Sequence, residues 1–179
     1  HIITTTVEHP SVLELCKDLE RDGYEVTYLE VDEDGQLSVN DLIEAIKAET
    51  AIVSIMHANN ETGIIFPIEK LARVVKMTDE NIVFHTDATQ TVGKLPISLK
   101  ESMTYIDMLS FSGHKLYAPK GIGVLYCKKG TSWRPFVVGG HQEKGRRAGT
   151  ENVPYIVAIS KALELACKSM EKNNNKLKK

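Results

Sequence analysis

Lys115 closes the stretch Ser110-Phe111-Ser112-Gly113-His114-Lys115, where the apolar segment Ile106-Asp107-Met108-Leu109 gives out. Two hydroxyls, a glycine, an imidazole and an ammonium within six residues can hold an anion and present an amine. A lysine that loses its water loses part of its preference for the charged form, and its amine becomes nucleophilic toward a carbonyl. Two further stretches have the same setting. His57-Ala58-Asn59-Asn60-Glu61-Thr62-Gly63 follows Ile52–Met56, and Thr86-Asp87-Ala88-Thr89-Gln90 follows Ile82–His85. Taken singly these residues read blandly: Lys115 as a solvated lysine, Asn59-Asn60 as a turn, Asp87 as a turn or cap residue, Gln90 as a surface amide.

Together, at successive strand ends, they match the needs of pyridoxal 5'-phosphate (PLP). That cofactor takes a lysine as a Schiff base, a carboxylate at its pyridinium nitrogen, donors at its phenolate oxygen and a cradle for its phosphate. Lys115 supplies the amine and Asp87 the carboxylate. Asn60 and Gln90 supply donors for the phenolate oxygen. Ser112 and His114 bind phosphate, with Gly113 allowing close backbone approach. His9, after the first apolar segment, reads either as a hydrogen-bonded turn residue or, if that strand joins the same edge, as a group that stacks on a ring and moves protons near neutral pH. Residues 137–152 hold four glycines and two arginines ahead of an apolar helix, a composition suited to anions or to a mobile basic loop.

The elements that must position these groups alternate. Ile2–Val7, Glu25–Leu29, Ala51–Met56, Ile82–Asp87, Ile106–Phe111 and Gly123–Cys127 read as strands. Pro10 opens a helix with Val12, Leu13, Cys16 and Leu19 at helical spacing, and Gly23 stops it. Asn40 caps a helix whose buried face is Leu42, Ile43 and Ile46. Ile68–Val75 is helical, and Val153–Lys168 forms a long helix, apolar at Ile156, Ile159, Leu163 and Ala166. Strands alternating with helices predict an α/β fold with a mostly parallel sheet flanked by helices, and the short link after Phe111 allows the last strand to run antiparallel. In such sheets ligands bind beyond the carboxyl ends of the strands, where the polar stretches lie.

The bulk composition narrows the partners. With 42% hydrophobic and 26% charged residues, 179 residues bury an ordinary core. The net charge of −2, from 22 basic and 24 acidic residues, argues against a nucleic-acid surface. No apolar run reaches the ~18–20 residues of a membrane span, so no membrane partner is expected. Cys16, Cys127 and Cys167 lie far apart and read as thiols in a reducing compartment. No signal-like segment opens the chain, so a cytoplasmic location is expected, with a mitochondrial or other organellar address left open. The polar end, 172–179, reads as a frayed tail.

Five segments carry a resemblance: His1-Ile2-Ile3-Thr4-Thr5 with Val7-Glu8-His9-Pro10; Ala58–Gly63; His85–Gln90; Ser110–Lys115; and Gly145-Arg146-Arg147-Ala148-Gly149-Thr150-Glu151-Asn152-Val153-Pro154. In order and spacing they resemble the NifS/IscS-type cysteine desulfurases, PLP enzymes of the class V aminotransferase group; Arg146–Pro154 looks most like the NifS branch. The resemblance implies an aspartate aminotransferase-like large domain with a seven-stranded type of sheet over residues 1–179. It implies that Lys115 carries the cofactor and that Asp87, Asn60, Gln90, Ser112 and His114 contact it as above. His9 would stack and transfer protons, and Thr150 would reach the phosphate of the neighbouring subunit in a homodimer. The implied reaction takes sulfur from L-cysteine, leaves L-alanine and an enzyme persulfide, and passes the sulfur to an iron–sulfur scaffold protein. The family's Gly/Thr phosphate loop would precede His1. Its sulfur-accepting cysteine and its arginine for the substrate carboxylate would follow Lys179, so this chain alone is expected to be inactive. A selenocysteine lyase or another class V enzyme is one alternative. A non-catalytic partner module of the same fold is another.

Overall fold

The computed structural model describes residues 1–177. One sheet holds six strands: β1 (Ile2–Thr5), β2 (Val26–Leu29), β3 (Ile52–Ser54), β4 (Val83–Asp87), β5 (Met108–Ser112) and β6 (Gly123–Cys127). Their order is β2-β1-β3-β4-β5-β6. The first five are parallel, and β6 pairs antiparallel with β5, as the short connection permits. From β1 the chain winds outward to β2 and then returns across to β3. That reversal opens a crevice at the carboxyl ends of β1 and β3, the place where open α/β sheets take ligands.

The helices form for local reasons. In α1 (Pro10–Arg21), Pro10 occupies the first turn, where no backbone N–H is required, and Gly23 at φ +91° lets the chain turn away at the end. α2 (Val39–Ala45) is capped by Ser38, whose hydroxyl accepts the Asp41 N–H at 3.2 Å; Asn40, the expected cap, already lies inside the helix. Ile43 is exposed, so Leu42 alone anchors that helix deeply. α3 (Ile68–Thr78) buries Ile68, Leu71, Ala72 and Val75 at helical spacing. A single turn, α4 (Gln142–Gly145), interrupts the glycine-rich stretch, and α5 (Val153–Leu177) follows.

The core lies between strand residues such as Ile3, Val53 and Phe84 and the inward faces of α2 and α3. On the other side α5 contributes Ile159, with Ala162, Leu163 and Ala166 packed behind it; Ile156 is exposed, contrary to its place in the expected stripe. The helix runs nine residues past Lys168, so residues 172–177 of the polar tail are helical; Lys178 and Lys179 lie outside the described residues. The sheet has six strands among the described residues, one fewer than the resemblance implies. The outer strand β6 leaves Val124 and Leu125 exposed, so that flank of the sheet is uncovered.

Candidate active site

The cleft at the reversal has a volume of about 300 Å³. Its walls come from four strand ends. His9 and Ser11 follow β1, Asn60 follows β3, and Asp87, Thr89 and Gln90 follow β4. Ser112, His114 and Lys115 follow from the end of β5. A wider recess of about 520 Å³ adjoins it and shares Asp87 and Ser112, but no amine or imidazole lines it. The smaller cleft is therefore the candidate site. It gathers His9, Asn60, Asp87, Gln90, Ser112, His114 and Lys115; Thr150 is exposed and does not line it.

Backbone geometry decides which polar atoms stay available. The two asparagines divide the work. Asn59 spends its side chain on the loop: Oδ1 accepts the Glu61 and Thr62 N–H groups, both at 2.9 Å, and Nδ2 donates to the Val7 carbonyl at 3.0 Å. Asn60 is left facing the cleft. Asp87 ends β4 and accepts the Thr89 N–H on Oδ1 at 2.8 Å, which fixes the carboxylate; Oδ2 takes no hydrogen bond among the described residues. Gln90 lies one turn further, and its Oε1 accepts the Lys94 ammonium at 3.1 Å.

His9 is the N-cap of α1, so the bland turn role and a place at the cleft coexist in one residue. Its Nδ1 accepts the Ser11 N–H at 3.2 Å. A backbone N–H can only donate, so the neutral imidazole carries its proton on Nε2. The basic loop is engaged locally: Arg146 lies 5.9 Å over the Trp133 ring, and Arg147 Nη1 donates to the Gly149 carbonyl at 3.3 Å.

Ser110 and Ser112 leave β5 on the same face, and the chain then turns through a single 3₁₀ turn, Gly113–Leu116. Ser112 Oγ and His114 Nδ1 share one hydrogen bond at 2.6 Å, which holds the hydroxyl and the imidazole side by side. Gly113 serves packing more than anion approach. Its N–H is spent on the Ile122 carbonyl at 2.9 Å, and an added Cβ would meet Ile122 and Ile159 side chains at 3.0 Å. Tyr117 ends the turn in the left-handed region at φ +63°, fully exposed. Lys115 sits on this turn with its side chain exposed.

Three residues matter here that the sequence did not single out. Glu8 is buried behind His9. Its Oε1 accepts the Met56 N–H at 2.6 Å and the Thr5 hydroxyl at 3.1 Å, while Oε2 has no partner. Burial above all, with a small contribution from the Asp87 charge, pushes its pKa up from 4.5 to about 7. His85 bridges Ser54 Oγ at 2.8 Å and Ser110 Oγ at 3.0 Å across three strands, and burial pushes its pKa down. Thr89 holds Asp87, as above. Only Thr89 had a visible signal, its place two residues after the carboxylate.

The donor set fits PLP. A fixed carboxylate with a spare oxygen, two amides, a hydroxyl–imidazole pair and a lysine line one cleft. No group of three or more His, Cys, Asp or Glu suited to a metal occurs among the described residues.

Comparison with known proteins gives the family. Residues 1–179 match the family described as aminotransferase class-V. The chain is 57% identical over 166 residues to cysteine desulfurase 2 of Trichormus variabilis, covering 93% of this chain and 41% of that protein. It is 52% identical over 176 residues to the cysteine desulfurase NifS of Azotobacter vinelandii, covering 98% of this chain and 43% of that protein. A solved structure titled NIFS-like protein superposes with a TM-score of 0.91 at 44% identity, over 96% of this chain and 46% of the other. The chain thus spans about two fifths of the length of the curated relatives it matches.

Proposed function

The chain belongs to the class-V aminotransferase family, and from that premise we propose that it is the PLP-binding large domain of a cysteine desulfurase of the NifS type. The observation that carries the reading is the cleft itself, with Lys115, Asp87 and the Ser112–His114 pair around one space. PLP, when bound, supplies an electron-withdrawing ring that takes up negative charge as bonds at the substrate's α-carbon and sulfur are broken.

The chain's own residues have separable tasks. Lys115 holds the cofactor's aldehyde carbon through Nζ. Asp87 keeps a proton on the ring nitrogen, with Thr89 fixing the carboxylate for that purpose. Asn60 and Gln90 donate to the phenolate oxygen. Ser112 and His114 bind phosphate oxygens. His9 offers Nε2–H at the cleft and moves a proton there. L-Cysteine is the substrate, as the relatives' names imply, giving L-alanine.

The sulfur acceptor within the enzyme must come from outside these residues. Cys16 is buried in α1, Cys127 ends an antiparallel strand and so lies at the opposite end of the sheet, and Cys167 is on α5; none lines the cleft. The chain alone therefore does not turn over cysteine. A homodimer completes the site: Thr150 is exposed and does not line its own cleft, so its hydroxyl is available to a partner's phosphate. An iron–sulfur scaffold protein then takes the persulfide sulfur. The free cysteines suit a reducing compartment, and the cytoplasm is our assignment.

The test is to mix the chain with PLP, reduce with borohydride and map the modified peptide by mass. A single adduct on Lys115 is expected. Adducts scattered over surface lysines would overturn the site. Alanine released from cysteine by the purified chain would overturn the assignment of the sulfur acceptor.

A further inference from the structure

Lys94 has the composition of an ordinary surface residue, yet the structure clamps the loop that carries it. Gly93, just before it, has φ +73°, and an added Cβ would lie 2.7 Å from the Ala166 Cβ of α5 and 2.8 Å from Leu116 Cδ2. Leu116 directly follows Lys115 on the 3₁₀ turn. The Lys94 carbonyl accepts Asn174 Nδ2 at 2.8 Å, from eighty residues further on. The loop is therefore wedged between α5 and the turn bearing Lys115, and its lysine starts from a fixed base. The Lys94 ammonium then donates to Gln90 Oε1 at 3.1 Å.

That contact has a directional consequence. An ammonium has only protons to offer, so the end of the Gln90 amide it meets must be the oxygen. The NH₂ is then the end left for the cleft that Gln90 lines. We propose that Lys94 is a positioning residue: it takes the Gln90 oxygen and thereby presents the amide NH₂ to the phenolate oxygen of PLP. The inference rests on the assignment of Gln90 as a phenolate donor. Without Lys94 the amide is free to flip, and half of its orientations would set oxygen against oxygen. Burial lowers the Lys94 pKa, and the nearby Lys115 lowers it further, which puts the ammonium within electrostatic reach of the lysine at the cleft although its side chain stays exposed.

The experiment compares Lys94→Met, Lys94→Arg, Gln90→Ala and the double variant. In the cofactor-free chain, the Gln90 side-chain amide resonances are followed by NMR. In the PLP-loaded protein, cofactor affinity and the pH titration of its absorption band are measured. Lys94→Met is expected to move and broaden the Gln90 amide signals, to weaken PLP binding roughly tenfold, and to shift the absorption titration. Lys94→Arg restores all three, because a guanidinium also offers only donors. Gln90→Ala weakens PLP like Lys94→Met, and the double variant is no worse than Gln90→Ala. Unfolding midpoints stay close to that of the parent, which separates positioning from a structural role. Unmoved Gln90 amide signals in Lys94→Met would overturn the inference without touching the site. Gln90→Ala with parental affinity and spectrum would instead remove the phenolate assignment, and the inference with it. Additive losses in the double variant would show that the two residues act independently, and the positioning role would fall.

Discussion

The two ends of one sheet treat charge in opposite ways. At the amino end, Asp107 precedes β5 and is buried. Its Oδ2 lies 2.5 Å from Lys76 Nζ and also accepts the Phe84 N–H at 2.8 Å. Lys76 in turn donates to the Ile82 and Glu80 carbonyls at 2.5 and 3.0 Å. Those charges are spent on one another and on the backbone. At the carboxyl end the reverse holds. The two buried side-chain atoms without partners among the described residues, Glu8 Oε2 and Thr86 Oγ1, both lie there. Asp87 keeps an oxygen open, and Lys115 stands exposed beside it. A closed network stabilises because every desolvated group is compensated; an open one leaves groups able to bind something else. The fold is anchored at one end of the sheet and left chemically unfinished at the other.

Removing one carboxylate from each end puts the contrast between them to the test. Asp107→Ala strands the Lys76 ammonium and the Phe84 N–H in the interior and is expected to cost ~3–5 kcal/mol. Asp87→Ala loses one hydrogen bond at a solvent-accessible turn and should cost no more than ~1 kcal/mol. Urea unfolding of the two variants checks this directly, and equal losses would erase the contrast. The roles invert in catalysis. Asp87→Asn in the complete enzyme should lower the rate by roughly 10²–10⁴, because the ring nitrogen loses its charged partner.

Glu8 sharpens the comparison through pH. Its folded pKa is about 7 against an ordinary 4.5. Between those values the folded chain holds a proton that the unfolded chain has released, so stability falls as pH rises through this window. Gln cannot ionise, so Glu8→Gln removes this dependence. Relative to the parent, the variant should gain roughly 2–3 kcal/mol on going from pH 5 to pH 8. Unfolding curves at the two pH values test this. A gap that does not change with pH would mean that Glu8 stays ionised through a partner.

The positions of this chemistry were far more legible than its supports. Asn60, Asp87, Gln90, Ser112, His114 and Lys115 could be placed together because a parallel sheet puts successive carboxyl ends on one edge, and polar runs after apolar ones mark those ends. Composition does not separate Asn60 from Asn59, since either amide suits a turn; the loop's hydrogen bonds show why Asn59 is the one consumed. Glu8 was opaque because a glutamate beside a turn reads as solvated; only the packing of α1 over the β1 and β3 ends buries it. Ile43 and Ile156 fit helical spacing and yet face solvent, since periodicity defines a stripe without saying how wide a face the neighbours cover. Ser38 caps α2 in place of Asn40 because helix start depends on which side-chain oxygen reaches a free N–H, and two candidates stand two residues apart. The role of Gly113 went the same way: the sequence shows a missing side chain without showing what fills the space.

Gly93 tests whether the unfinished end is nonetheless held rigidly. Its φ of +73° is one that side-chain-bearing residues rarely adopt, and a methyl there would run into Ala166 and Leu116. Gly93→Ala should cost ~1–2 kcal/mol, well below the loss expected at Asp107. The displacement matters more than the energy. Relief of the clash must move either α5 or the turn that carries Lys115. If the turn yields, borohydride trapping with PLP at Lys115 should slow markedly even though most of the chain remains folded. If α5 yields instead, trapping stays at the parental rate while the unfolding midpoint drops. The first result would show that the lysine's reach depends on one backbone contact. The second would show that β5 alone fixes the turn, leaving α5 as a cover.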